Sequence, residues 1–200
     1  MPPKLVIATR NTGKLNEIKE ILAPLDWEIL SLQDFPGIPE TIEDGATFAE
    51  NAAKKAREVA RQTGRLSIAD DSGLVVDALQ GRPGVFSSRY GGETATDEER
   101  VQKLLAEMAG IPMGQRQAAF LCTIAVATPN GEVEVLEGEC RGLIAFAPRG
   151  EHGFGYDPIF FLPELGKTMA EIDPEVKNRI SHRARALEKL KVVLTRFLSP

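Results

Sequence analysis

Short apolar runs alternate with amphipathic stretches along the chain, the pattern of strands and helices laid down in turn. Lys4 to Ala8 reads as a buried first strand. Leu15, Ile18, Ile21 and Leu22 recur at helical spacing, so a helix follows to about Leu22. Glu28 to Leu32 is a second short strand, and Asp34 to Gly45 is a loop broken by Pro36, Gly37, Pro39 and Gly45. Thr47 and Glu50 have capping-box spacing. They open a helix to about Thr63, with Phe48, Ala52, Ala56, Val59 and Ala60 on one stripe and Asn51 and Lys55 beside it.

Leu66 to Ala69 is a strand that runs into Asp70 and Asp71, then Ser72-Gly73, a turn signal. Leu74 to Leu79 is a further extended run, and Gln80 to Gly92 is a Gly- and Pro-rich loop. Thr96 and Glu99 form a second capping box for a helix to about Met108. Gln117–Thr128 and Glu132–Ala145 flank Asn130-Gly131, which predicts a long hairpin with apolar surface suited to a dimer contact. Gly150 to Phe161 is a glycine-punctuated loop entering a strand, and Thr168 to Glu171 repeats the capping spacing. Ser181 reads as the cap of a closing helix with Ala186, Leu187, Leu190, Val193, Leu194 and Phe197 inward. No repeats or linkers interrupt the chain; its 200 residues permit one large domain or a two-lobed one, and residues 1–200 are read as a single domain.

Composition narrows the function classes. Hydrophobic residues make up 42% and charged residues 26%, ordinary for a folded soluble protein. The net charge of −5 argues against a broad nucleic-acid surface. Cys122 and Cys140 lack metal-type spacing and read as reduced core thiols. No apolar run reaches membrane-spanning length, and Met1-Pro2-Pro3-Lys4 leads straight into a strand without a signal peptide. The expected location is the cytoplasm.

Three places carry candidate chemistry. The first strand passes into Thr9-Arg10-Asn11-Thr12-Gly13-Lys14 and then a helix. Backbone N–H groups and the helix dipole at such a junction favour phosphate. An N-capped helix with an exposed Lys14 has the same pattern. Asp70 and Asp71 share a site only if the strand ends and bends there, because successive strand side chains alternate in direction. Two such carboxylates repel, and Mg²⁺ or Mn²⁺ is the simplest way to keep both ionised. A plain polar turn has the same four residues. In the loop GFGYDPIF, Phe154 between two glycines suits stacking on a flat ring, and Asp157 suits a hydrogen bond to one. His182 and Arg183 fall in the first turn of the closing helix, where the dipole disfavours cations, which points to a ligand or to plain surface charge.

Six stretches together resemble the inosine triphosphate pyrophosphatase family: Ala8–Lys14, Glu43–Ala56, Ala69–Leu74, Pro83–Tyr90, Gly153–Phe160 and Ser181–Arg183. The resemblance implies an elongated two-lobed α/β fold. Its long twisted mixed sheet is flanked by helices, with the active-site cleft between lobes. It implies a homodimer that uses Mg²⁺, with Mn²⁺ as substitute, to hydrolyse ITP, dITP or XTP to the monophosphate and pyrophosphate. Carried over residue by residue, Glu43, Asp70 and Asp71 are the expected metal ligands and Asp71 the catalytic base. Thr9, Arg10, Asn11, Thr12, Gly13, Lys14 and Lys55 are expected at the phosphates. Ser72, Phe154, Gly155, Tyr156, Asp157, Lys177, His182 and Arg183 are expected around the nucleoside.

Overall fold

The computed structural model describes residues 2–197, seven strands of which share one mixed sheet in the order β2-β1-β3-β4-β5-β6-β7. The strands are β1 Lys4–Ile7, β2 Glu28–Ser31, β3 Leu66–Val76, β4 Gln117–Ala127, β5 Val133–Ile144, β6 Phe160–Leu162 and β7 Lys167–Thr168. The helices are α1 Thr12–Leu22, α2 Phe48–Thr63, α3 Asp97–Glu107, α4 Pro174–Ile180 and α5 His182–Leu194. The α/β expectation holds. Among the described residues no helix is long and apolar enough to cross a membrane.

Two compact units divide the chain. The first takes the residues up to Asp71, Cys122–Gly138 and those from Arg183 onward; the second takes Ser72–Leu121 and Glu139–His182. In the first unit β1 pairs in parallel with β2 and with β3. Alternate side chains on these strands serve two cores. Leu5, Ile7, Ile68, Cys122 and Ile124 pack with α1 and α5. Val6, Ala8, Ala69, Ala125 and Ala127 pack with α2. The period-two alternation thus sorts β3 into two faces before any charged residue is reached.

In the second unit β6 pairs antiparallel with β5 and with β7. Its core gathers Leu74, Val76, Leu104, Met108, Phe120, Ile144, Tyr156 and Phe160. Arg116 is buried there with its guanidinium donating to the carbonyls of Ile144, Met108, Ile111 and Ala145. Backbone oxygens satisfy this buried cation in place of a carboxylate.

Both predicted capping boxes form, at Thr47/Glu50 and Thr96/Glu99, as does the one at Thr168/Glu171. The hairpin closes through Gly131, whose N–H donates to Thr128 O at 3.0 Å and whose φ is +95°. Both cysteines are buried.

Two expectations are corrected. β3 does not end at Asp70; it continues through both acids, Ser72 and Gly73 to Val76. The carboxylates are paired, so burying them does not break the ladder, and the local turn signal loses to tertiary packing. Phe197 does not face inward but is 41% exposed. α5 stops at Leu194 and a 3-10 turn over Thr195–Phe197 carries the ring off the helical stripe. The segment before the closing helix is itself helical: α4 starts with Pro174 in its first turn, and Lys177 and Arg179 sit in its last turn, where the dipole favours cations.

Candidate active site

The first unit holds a charge cluster around the two acids. Asn11 caps α1, its Oδ1 accepting from Lys14 N at 2.9 Å, and Thr9 Oγ1 accepts from Asn11 N at 3.2 Å. The first turn, which includes Thr12, Gly13 and Lys14, carries no acidic side chain, so the positive end of the helix is not neutralised locally. Arg10 donates to Ile38 O at 2.8 Å, tying the first loop to the segment after β2.

Asp70 points to the α1 and α5 face. Its Oδ1 lies 2.5 Å from Lys14 Nζ, and its Oδ2 is 2.9 Å from Arg183 Nε and 3.2 Å from Cys122 Sγ. Arg183 reaches Glu17 with Nη1. Burial opposes the charge on Asp70, but Arg183 and Lys14 outweigh it and hold the carboxyl well below the usual carboxylate range. Burial likewise disfavours the charged Arg183, and Asp70 and Glu17 overcome it.

Asp71 faces the other way. Its Oδ2 accepts from Asn51 Nδ2 at 3.0 Å, and its Oδ1 is 3.8 Å from Lys55 Nζ. Lys55 is drawn more closely to Glu43 Oε1, at 2.6 Å, and to the Asp70 carbonyl, at 2.7 Å. Burial pushes the Asp71 carboxyl up, and the nearby Glu43 charge adds to it; Lys55, Lys14 and the Asn51 bond offset only part. Adjacent acids therefore sit in opposite environments, one carboxyl held well below the usual range and the other pushed up from it.

Asn51, which the helical spacing sets beside Lys55 on α2, takes a role that the spacing did not assign to it. It is 1% exposed, and its Oδ1 accepts from Gly45 N at 2.8 Å while its Nδ2 donates to Asp71. A Cβ at Gly45 would lie 2.7 Å from that Oδ1, so glycine is needed there. A polar residue on the buried stripe of α2 was the available signal. Glu17, the second partner of Arg183, gave none: it lies on α1 with no local feature that marks it.

Whether a divalent metal suits this site turns on the donor set. Among the described residues no three His, Cys, Asp or Glu side chains gather as a ready metal cage. Mg²⁺, however, commonly takes one or two carboxylates and completes its shell with water and phosphate oxygens. Glu43 and Asp71 share the single ammonium of Lys55, so a further cation fits their chemistry. Asp70 is the acid already held by two cations.

The second unit holds an aromatic loop. Gly153 has φ +78° and Gly155 φ +62°, and a Cβ on Gly153 would fall 2.0 Å from Asp157 Oδ2. That oxygen accepts from Phe154 N at 3.0 Å and from Lys177 Nζ at 2.5 Å. Lys177 Nζ stands 4.9 Å from the Phe154 ring centroid. Gly155 N donates to Asp97 Oδ2 at 2.6 Å and Tyr156 Oη to Ser87 O at 2.9 Å. His182 is stacked on Phe120, centroids 4.8 Å apart. Ser72 lies in β3 directly after Asp71. Asp97 and Ser87 went unnoticed in the sequence because an acid in a helix's first turn reads as a dipole partner and a serine between glycines reads as loop.

These features define the class: an α/β protein with a strand–loop–helix junction, a buried lysine–carboxylate cluster and a glycine-framed aromatic loop. The chain belongs to the Ham1 family, whose model matches residues 5–193. A Geobacillus kaustophilus protein named dITP/XTP pyrophosphatase is 57% identical over 94% of this chain and 92% of its own. A Geobacter sulfurreducens protein of the same name is 56% identical over 94% of both. The structure of a HAM1 protein from Coxiella burnetii matches with a TM-score of 0.88 and 46% identity, covering 97% of this chain and 99% of that one.

Proposed function

We propose that the protein is a nucleoside-triphosphate pyrophosphatase that hydrolyses ITP, dITP and XTP to the monophosphate and pyrophosphate, removing deaminated purines from the nucleotide pool. The observation that carries the chemistry is Asp71, a buried carboxyl pushed up from its usual range and aimed by Asn51 beside Lys55 and Glu43. The names of the close relatives support the choice of substrate.

Thr9, Asn11, Thr12, Gly13 and Lys14 at the start of α1 take the triphosphate, with Lys14 and Lys55 neutralising its oxygens. Arg10 secures that loop from outside. Glu43, Asp70 and Asp71 would hold Mg²⁺, or Mn²⁺ in its place, and the ion would there neutralise charge on the phosphate oxygens. Asp71 accepts a proton from water as the water oxygen bonds to the α-phosphorus. The bond from that phosphorus to the bridging oxygen breaks, and pyrophosphate leaves with the electron pair.

Phe154 stacks on the base within the loop through Gly155 and Tyr156, and Asp157, Lys177, His182 and Arg183 address its edge. Ser72 serves the nucleotide beside Asp71. Hypoxanthine and xanthine carry a C6 carbonyl where adenine carries an amino group. The donors His182 and Arg183 reward the carbonyl and leave adenine's amino group mispaired. Arg183 makes that contact from a guanidinium whose direction Asp70 and Glu17 set. We place the enzyme in the cytoplasm, consistent with two buried cysteines, and expect it to act as a homodimer, which sedimentation tests.

The deciding experiment is pyrophosphate release from ITP, XTP, GTP and ATP with and without Mg²⁺. Mg²⁺-dependent release from ITP and XTP with ATP and GTP nearly inert supports the reading. Equal rates on all four retain the chemistry and discard the selectivity. Tight ITP binding without release discards the enzyme.

A further inference from the structure

The aromatic loop is anchored by a residue outside the set assigned to the nucleotide. Gly155 N–H donates to Asp97 Oδ2 at 2.6 Å. Asp97 is the first residue of α3, but it does not cap the helix: Thr96 and Glu99 do that between them. Its other oxygen, Oδ1, is paired with Arg100 Nη2 at 2.6 Å. Arg100 in turn donates from Nη1 to Ser88 O at 2.5 Å.

The chain of contacts is therefore Gly155 to Asp97 to Arg100 to Ser88. Beside it, Tyr156 Oη donates to Ser87 O at 2.9 Å, and Ser87 Oγ accepts from Leu74 N at 2.9 Å. Two neighbouring residues of one 3-10 turn, Gly84–Arg89, thus hold two neighbouring residues of the aromatic loop. Pro83–Tyr90 was one of the six motifs, and the nucleotide chemistry left it without a task.

Gly155 N belongs to the peptide that follows Phe154. An acceptor fixed on this N–H sets the plane of that peptide, and with Gly155 at φ +62° it sets the direction in which the Phe154 ring leaves the backbone. A charge-assisted bond to an acid steadied by its own arginine suits that task better than a mobile surface acid.

We infer that Asp97 is a positioning residue for base binding: steadied by Arg100, it holds the Gly153–Asp157 loop so that Phe154 is presented to the purine before substrate arrives. The inference rests on the pyrophosphatase reading for its substrate, but not for the loop anchor itself.

The test uses the full chain and two readouts. In Asp97→Ala, amide hydrogen exchange of the peptide covering residues 150–160 should speed up about tenfold, and KM for ITP should rise about tenfold while kcat stays within about twofold. Asp97→Asn keeps an acceptor for Gly155 N–H and should restore most of the KM. Arg100→Ala should shift both readouts the same way by less, and combining it with Asp97→Ala should add little. Unchanged exchange and KM in Asp97→Ala overturn the inference, as does a joint fall of kcat and thermal stability that Asp97→Asn fails to rescue. If wild type releases no pyrophosphate from ITP, the pyrophosphatase reading fails instead, and the exchange of the loop still decides the anchor.

Discussion

Asp70 and Asp71 are joined by one peptide bond and held by different partners on opposite faces of β3. Asp70 meets Lys14 at 2.5 Å and Arg183 at 2.9 Å, whereas Asp71 meets Asn51 at 3.0 Å and Lys55 at 3.8 Å. The alternation of a continuous strand separates them. Each carboxylate has its own cationic partners, so the two are set up for different work.

Their amide variants should therefore fail in different ways. Asp71→Asn should lower kcat by about 10²–10⁴-fold with little loss of stability, because an amide still accepts from Asn51. Asp70→Asn should cost about 3–5 kcal/mol of stability, because Lys14 and Arg183 lose their buried counter-charge. Urea unfolding and pyrophosphate release, run side by side, separate the two. Equal stability losses would remove the division of labour.

Asn51→Ala should leave Gly45 N–H and Asp71 without their shared partner, at about 1–3 kcal/mol and about a tenfold loss of kcat. Asn51→Asp should be worse, because it sets a like charge against Asp71. Thermal unfolding and steady-state rates on ITP check the order of the two variants.

Gly153→Ala should cripple base binding and spare the first unit. The added carbon would lie 2.0 Å from Asp157 Oδ2 at a backbone φ of +78°, so the loop that carries Phe154 must rearrange. KM for ITP should rise at least about tenfold. Tryptophan fluorescence, which reports Trp27 in the core of the first unit, should be unchanged.

Chelation should abolish pyrophosphate release, and Mg²⁺ should restore it. Glu43→Gln should raise the Mg²⁺ concentration for half-maximal rate at least about tenfold. A wild-type response in that variant would take Glu43 out of the metal site.

Much of this was legible from local pattern alone. The capping boxes at Thr47 and Thr96, the Asn130-Gly131 turn and the stripes of α1 and α2 depend on residues two to four apart, and they form as the spacing predicts. The length of β3 was not legible. Asp-Asp-Ser-Gly is a turn by local preference, and it stays a strand because Lys14, Arg183, Asn51 and Lys55 meet its carboxylates.

The amino-acid sequence by itself determined the helix caps, the hairpin turn and the apolar stripes, all set by residues a few positions apart. The tertiary structure alone decided which carboxyl is held low and which is pushed up. That choice depends on partners distant in the chain: Arg183 lies 113 positions from Asp70, and Asn51 lies 20 from Asp71. Burial and charge pairing act through space, and local spacing does not encode them.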